Sequence, residues 1–173
     1  AGVIAQRARE TPKGKWVIAR SSFGMQTKVQ EGRLFHRDEL DAISSEHPII
    51  VYAGLHVTML NTMALKELGL WERTGSPPRG TVMHLNDDGT PTGVVTEVWD
   101  LMPEFSRHQV RQAVREKIGD LFLANGVTSI HNLPYGKEDV QAVQELQENG
   151  ELPTRIRFYY HVPNHVGIGD LVK

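Results

Sequence analysis

The chain has 173 residues, and its 19 basic and 21 acidic side chains give a net charge of −2 at pH 7. This length is enough for one domain with a substantial core, and the near balance of charge argues against nucleic acid as a partner. No apolar run reaches the roughly 18 residues of a membrane-spanning helix, and the absence of cysteine excludes disulfides and leaves any metal site to His, Asp and Glu. These properties predict a cytoplasmic protein.

The first third of the chain alternates short helices and strands. Residues 3–10 have a helical pattern that Thr11-Pro12 ends, and residues 15–20 are typical of a strand. Asp38 is placed to cap a short helix. The continuous apolar run at residues 49–53 predicts a strand that is buried on both faces.

A helix and a hairpin follow. Asn61 is placed to cap a helix that carries Leu65 and Leu68 inward and stops at Gly69. Residues 81–85 and 93–98 then flank the sequence NDDGTPT, whose composition is typical of a turn. This arrangement predicts a β-hairpin.

The last third has a more regular pattern. Ser106 is expected to cap a helix that Asn125-Gly126 stops, and residues 127–132 form a short β-rich run. A helix at about residues 137–148 and a strand at residues 154–162 complete a βαβ unit, so the two strands are expected to be parallel. His131 and His161 would then lie at the carboxyl ends of parallel strands, where α/β proteins collect ligands and catalytic groups.

The fold class is therefore predicted to be α/β. Residues 1–105 are expected to form an irregular mixed α+β region, and residues 106–173 an αβαβ segment. A complete (β/α)8 barrel takes about 250 residues and rarely fewer than about 200. Either the second region completes a small mixed sheet or the chain is an internal part of a larger protein.

Five blocks of the sequence occur in the order found in one enzyme family. They are TPKGKWVIAR, RDELDAISSEHPIIV, GLHVTMLNTMALKELGL, DDGTPTGVVTE and LANGVTSIHN. Together they resemble the metal-dependent amidohydrolase superfamily in its amidohydrolase-3 or YtcJ-like branch, which includes N-substituted formamide deformylases. The chain departs from that pattern at ARSSFG, where the family has Gly and Trp, and at His131-Asn132, where it has His-Asp.

The resemblance implies an internal fragment. The family's His-x-His metal motif would lie upstream of Ala1, and its lysine, later histidines and aspartate would lie downstream of Lys173. Residues 1–105 would then be the insert after the first barrel strand, and residues 106–173 would resemble barrel elements around strands two and three. It implies a zinc-like divalent metal in the complete enzyme, and none is expected for this chain alone.

Four residues are candidates for the site. His131 would line the barrel mouth near substrate, or be held by backbone groups at a strand end. His56 would donate a hydrogen bond to substrate, or anchor a loop. Asn61 would bind substrate or, more simply, cap a helix, and Glu97 would be a general acid or base or face a metal, or else pair with an arginine in the hairpin.

The other histidines give no compact metal site. His36, His47, His84 and His108 have no partner at a ligand spacing, and Pro163 and Asn164 separate His161 from His165. The sequence also has no G-x-S-x-G elbow, P-loop or dinucleotide fingerprint. No metal ligand is therefore assigned to the chain.

The function that the resemblance implies is hydrolysis of non-peptide C–N bonds in amide-like or formamide-like small molecules. The chain would supply pocket walls and a lid, and by itself would be inactive. The alternative is a non-catalytic binding or assembly module derived from such a hydrolase. No membrane or nucleic acid partner is expected, and a homodimer is a reasonable hypothesis because an incomplete barrel exposes strand edges.

Overall fold

The chain forms two compact units in the computed structural model, which describes residues 1–21, 24–98, 101, 105–134 and 136–159. The described part of the first unit lies within residues 1–101, and that of the second within residues 105–159. Both contain helices and strands, so the architecture is mixed α/β, as the sequence predicts. None of the helices in the described ranges is long and apolar enough to cross a lipid bilayer.

The first unit is built on a five-stranded mixed sheet. In chain order its elements are α1 (Gly2–Glu10), β1 (Val17–Ser21), a 3-10 turn (Met25–Thr27), α2 (Arg37–Ile43), β2 (Ile49–Ala53), β3 (Val57–Leu60), α3 (Thr62–Glu67), β4 (Val82–Leu85) and β5 (Pro91–Thr96). The strand order is β1-β2-β3-β5-β4. The pair β1–β2 is parallel, whereas β2–β3, β3–β5 and β4–β5 are antiparallel.

Strand β2 lies at the centre of the core. All five of its residues are buried, which confirms the prediction made from its continuous apolar run. Ile49, Val51 and Ala53 pack in one cluster with Ile4 of α1 and Leu40 of α2. Each fully buried aliphatic side chain of this size stabilises the fold by about 1.5–3 kcal/mol, so β2 anchors the strands on either side.

One local prediction in this unit was wrong, and one strand was missed. Helix α2 is capped by His36, not by Asp38: the Nδ1 atom of His36 accepts from the Asp38 amide at 3.3 Å, and Glu39 accepts from the His36 amide at 2.7 Å. Strand β3 was not predicted at all. It begins directly after His56, which lies in the short loop at residues 54–56 between β2 and β3.

The predicted hairpin is present, formed by β4 and β5. At Gly93 in β5 the backbone has φ +92°, and a Cβ atom there would lie 2.5 Å from the carbonyl oxygen of Leu60 and 2.9 Å from Cβ of Arg37. Only glycine allows this approach of β5 to both β3 and α2. The last glycine of the D-G-x-P-T-G block therefore has a packing role.

The described part of the second unit contains two helices and two strands that alternate along the chain. Its elements are α4 (Arg107–Leu121), a 3-10 turn (Leu123–Asn125), β6 (Ser129–Asn132), α5 (Lys137–Glu148) and β7 (Arg155–Phe158). The strands β6 and β7 are parallel, with Ser129 opposite Arg155 and His131 opposite Arg157. Ser106 caps α4 as predicted, and Gly126 is left-handed as predicted, although it follows the 3-10 turn rather than the helix itself.

Ion pairs join the two helices of this unit. Arg107 contacts Glu138 and Glu145 at 2.9 Å, and Arg111 contacts Glu145 at 3.0 Å. These side chains are partly buried, which favours the pairs over fully exposed ones. The Arg107 guanidinium lowers the pKa of Glu138. His161 and the last part of the strand predicted for residues 154–162 lie outside the described residues.

Candidate functional site

Two of the candidate residues, His56 and Glu97, lie in direct contact. In the antiparallel pair β3–β5, Val57 lies opposite Thr96, so the residue before β3 meets the residue after β5. The Glu97 amide donates to the His56 carbonyl at 3.1 Å, and Nδ1 of His56 lies 2.9 Å from Oε1 of Glu97. The two residues are 41 positions apart in the sequence, and the sheet brings them together.

The backbone at Glu97 has an unusual conformation. Its φ of +56° is the only positive value at a non-glycine residue in the described part of the chain. Three hydrogen bonds hold it there, because the Thr81 hydroxyl also donates to the Glu97 carbonyl at 3.1 Å. A non-glycine residue in this region costs about 1–3 kcal/mol, and such strain concentrates at functional sites.

The contact fixes the proton on the His56 ring. An ionised carboxylate can only accept, so Nδ1 of His56 carries the hydrogen of this bond. Nε2 is then the nitrogen of the neutral ring that carries no hydrogen. The side chains are 62% and 35% exposed, so a small molecule can reach the pair. This arrangement can accept, hold and return a proton.

His131 lies in the second unit, where its partner is a tyrosine. Its Nδ1 atom is 2.8 Å from the Tyr159 hydroxyl, and the two ring centroids are 5.1 Å apart. His131 is exposed on β6, and Tyr159 follows β7 directly. No sequence pattern pairs the two residues, although the alternation along residues 155–159 places Arg155, Arg157 and Tyr159 on one side of the strand.

Asn61 is completely buried and caps α3, as predicted. Its Oδ1 atom accepts from the amides of Ile49 and Ala64, each at 2.9 Å. Its Nδ2 atom donates to the carbonyls of His47 at 2.9 Å and Ser44 at 3.3 Å. All four hydrogen bonds that an asparagine amide makes are therefore directed to the backbone, where they join β2 to α3.

Two other histidines have structural partners. His47 is buried, with its ring nitrogens 2.8 Å from the Ser44 hydroxyl and 3.0 Å from the Thr11 carbonyl. His36, besides capping α2, places Nε2 at 3.2 Å from Oδ1 of Asn86. Both contacts account for these residues without a ligand.

A groove of about 480 Å³ lies in the first unit, with His36, His84 and Thr92 in its wall. This volume is within the range of small-molecule sites. Its arginine, Arg33, makes two hydrogen bonds to Glu39 at 2.7 and 3.0 Å, and this pairing lowers the pKa of Glu39 to about 2. The charge of Arg33 is therefore already matched.

No metal centre is formed within the ranges that the structure describes, because no three His, Asp or Glu side chains there are grouped closely enough to hold an ion. The His56–Glu97 pair contributes two such groups. His161, the remaining histidine that the sequence singled out, lies outside those ranges.

Comparison with known proteins gives one family match. A family model described as "Amidohydrolase family" matches residues 1–172. No curated protein matches the chain.

Two solved structures are similar in fold. An uncharacterized metal-dependent hydrolase from Pyrococcus horikoshii OT3 aligns with a TM-score of 0.56 and 19% identity over 91% of this chain and 30% of its own. One from Pyrococcus furiosus aligns with a TM-score of 0.53 and 20% identity, over 92% and 31% respectively. The chain thus spans about a third of the length of these proteins.

Proposed function

The chain belongs to the amidohydrolase family, and from this premise we propose that it is part of a metal-dependent hydrolase of non-peptide C–N bonds. Its substrates would be small amides or formamides, as in the YtcJ-like branch that the sequence resembles. The chain would contribute pocket walls and a lid. The observation that carries the proposal is the His56–Glu97 pair, which joins two of the family-like blocks at one end of the β3–β5 ladder.

In this proposal the His56 ring transfers a proton to the substrate, and the Glu97 carboxylate orients that ring. Glu97 accepts from Nδ1, so the neutral ring can take a proton at Nε2 and the imidazolium can give it to the leaving nitrogen of an amide. An amine is a poor leaving group until it is protonated, so this transfer would assist C–N cleavage. The strained backbone of Glu97 supports this role because it holds the carboxylate against the ring.

The metal ligands are not assigned to this chain. In hydrolases of this kind a divalent metal polarises the scissile carbonyl and lowers the pKa of a bound water. The described residues do not fit such a centre, since no three possible ligands are grouped among them. We propose that the ligands lie outside those residues and that zinc or a similar ion fills the site of the complete enzyme.

The βαβ unit would belong to the barrel of the complete enzyme. We propose that β6 and β7 correspond to barrel strands two and three and that residues 1–105 form the insert after strand one. The parallel pairing of β6 and β7 supports this assignment, because barrel strands are parallel and joined by helices. His131 lies near the carboxyl end of β6, the end at which barrel enzymes place their active sites.

The test measures release of amine from a panel of N-formyl and N-acetyl amines with added zinc or manganese. We expect no turnover by this chain alone, and turnover by a longer natural product of the same coding sequence that carries the His-x-His motif. In that product, His56→Gln and Glu97→Gln should lower kcat at least tenfold. His108→Gln, at an exposed histidine on α4, is the matched control and should leave kcat unchanged.

The outcomes separate the two functions considered for the chain. A longer product that carries His-x-His and releases no amine would favour the binding or assembly module over the hydrolase. Turnover by this chain alone would show that it holds a metal after all. If His108→Gln lowers kcat as much as His56→Gln does, the proposed role of the His56–Glu97 pair in proton transfer is wrong.

A further inference from the structure

One face of the β6–β7 sheet carries an exposed row of polar and basic side chains. The register places Ser129 opposite Arg155 and His131 opposite Arg157, and Tyr159 follows one step beyond. All five are exposed, whereas Ile130, Ile156 and Phe158 at the alternate positions are partly buried. Side chains at alternate positions of a strand share a face, so these five residues form one surface, the basic face.

The two arginines of the basic face differ in their contacts. Nε of Arg155 donates to the Ser129 hydroxyl at 2.8 Å, and its Nη2 atom donates to the Thr128 hydroxyl at 2.9 Å. Arg157 makes no ion pair or side-chain hydrogen bond with any residue that the structure describes. The five residues of the face include no carboxylate, so the charge of Arg157 is not matched by its neighbours there.

Further hydrogen-bonding groups lie beside Arg157. His131 is its register partner, and the His131–Tyr159 hydrogen bond of 2.8 Å holds the tyrosine hydroxyl on the same side of the sheet. A guanidinium presents parallel N–H groups that match the two oxygens of a carboxylate. The imidazole and the hydroxyl can orient the rest of a ligand that is bound in this way.

We propose that the basic face binds a small molecule that carries a carboxylate, such as an N-acyl amino acid. This inference concerns binding by the second unit alone and goes beyond the proposed function. Arg157 makes the two-pronged contact with the carboxylate. His131 and Tyr159 lie at the carboxyl-terminal end of the strands and contact the adjacent part of the ligand.

Binding to the 173-residue chain tests the proposal without any turnover. The reporter is the Cε1–H resonance of His131 in a ¹³C-labelled protein, assigned from the spectrum of His131→Gln. The probes are N-acetylglycine, its neutral counterpart N-acetylglycinamide and inorganic phosphate, all at the same ionic strength. We expect N-acetylglycine to shift the His131 signal saturably, and the other two probes to shift it much less.

Variants identify the residue responsible. Arg157→Gln should weaken binding of N-acetylglycine at least fivefold, and Arg157→Lys should weaken it less, because it keeps the charge but loses the two-pronged geometry. Arg79→Gln removes an exposed arginine of the first unit and should have no effect. The lysine variant also guards against a glutamine variant that fails to fold.

Three results would overturn the proposal. They are an equal response to the neutral amide, an equal response to phosphate, or unchanged binding in both Arg157 variants. None of them bears on whether the complete enzyme cleaves C–N bonds, so failure of this inference is distinguishable from failure of the proposed function.

Discussion

Replacement of Gly93 by alanine is the sharpest test of how the first unit is packed. The new methyl group would lie 2.5 Å from the Leu60 carbonyl oxygen and 2.9 Å from Cβ of Arg37, and the Cα atom of Arg37 would be 3.0 Å away. Two of these three atoms belong to the backbone, which cannot move aside as a flexible side chain can. Strand β5 would therefore have to shift away from β3 or α2.

Two costs add at this position. A non-glycine residue at φ +92° is strained by about 1–3 kcal/mol. Forcing an extra methyl group into a well-packed interior costs about another 1–3 kcal/mol. The sum of about 2–6 kcal/mol is a large part of the 5–15 kcal/mol typical of a whole domain, so the variant is expected to be severely destabilised.

The matched control is Gly89→Ala. Gly89 lies in the turn before β5 with φ +80°, but no atom is within 4 Å of where its Cβ would be. This variant carries the backbone strain alone, about 1–2 kcal/mol. The difference between the two variants isolates the steric contact.

Urea unfolding followed by tryptophan fluorescence measures both variants. Trp16 and Trp71 both lie in the first unit, so they report on it. The denaturant slope m should stay constant while the midpoint falls. If the free energies of unfolding of Gly93→Ala and Gly89→Ala differ by less than about 0.5 kcal/mol, β5 does not approach Leu60 as closely as described.

Three further predictions concern a buried amide, an ion pair and the oligomeric state. Asn61→Ala should lower the free energy of unfolding by about 2–4 kcal/mol, because it leaves buried backbone groups without partners. Asn149→Ala, at an exposed position, should change it little. Equal effects of the two variants in urea unfolding would contradict the role of the buried amide. Arg33 lowers the pKa of Glu39 to about 2, so the stability that this pair contributes is present above the ordinary pKa near 4.5 and is lost as pH falls toward 2. The stability difference between the wild type and Glu39→Gln should therefore shrink over that range, and a difference that stays constant would contradict the role of the pair. The homodimer hypothesis predicts a molar mass that rises with concentration in light scattering, and a constant monomer mass would refute it.

Much of the secondary structure could be predicted because its signals are local. The cap at Ser106, the helix from Lys137 and the buried strand β2 each follow from side chains within a few positions of one another. Strand β3 was not predicted because it is only four residues long and the polar residue Thr58 interrupts its apolar pattern. Thr58 is nevertheless buried, and its hydroxyl donates to the Val95 carbonyl. A hydroxyl satisfied across the sheet cannot be recognised from its neighbours in sequence.

The candidate site was predictable as a set of residues but not as an arrangement. Glu97 and His56 were chosen separately, each at a boundary of an apolar segment, and their contact depends on β3 pairing with β5 rather than with β4. The cap of α2 shows the same limit, because His36 rather than Asp38 accepts the helix amide. Aspartate is the commoner cap, and propensity alone favours it.

The position of β2 has a consequence for how the chain exchanges its amide hydrogens with solvent. β2 is hydrogen-bonded on both sides, to β1 and β3, and all its side chains are buried, so its amides can exchange only when a large part of the first unit opens. Among the described residues, β6 and β7 pair only with each other, so half of their backbone positions face outward. Deuterium should therefore enter β6 and β7 much faster than β2.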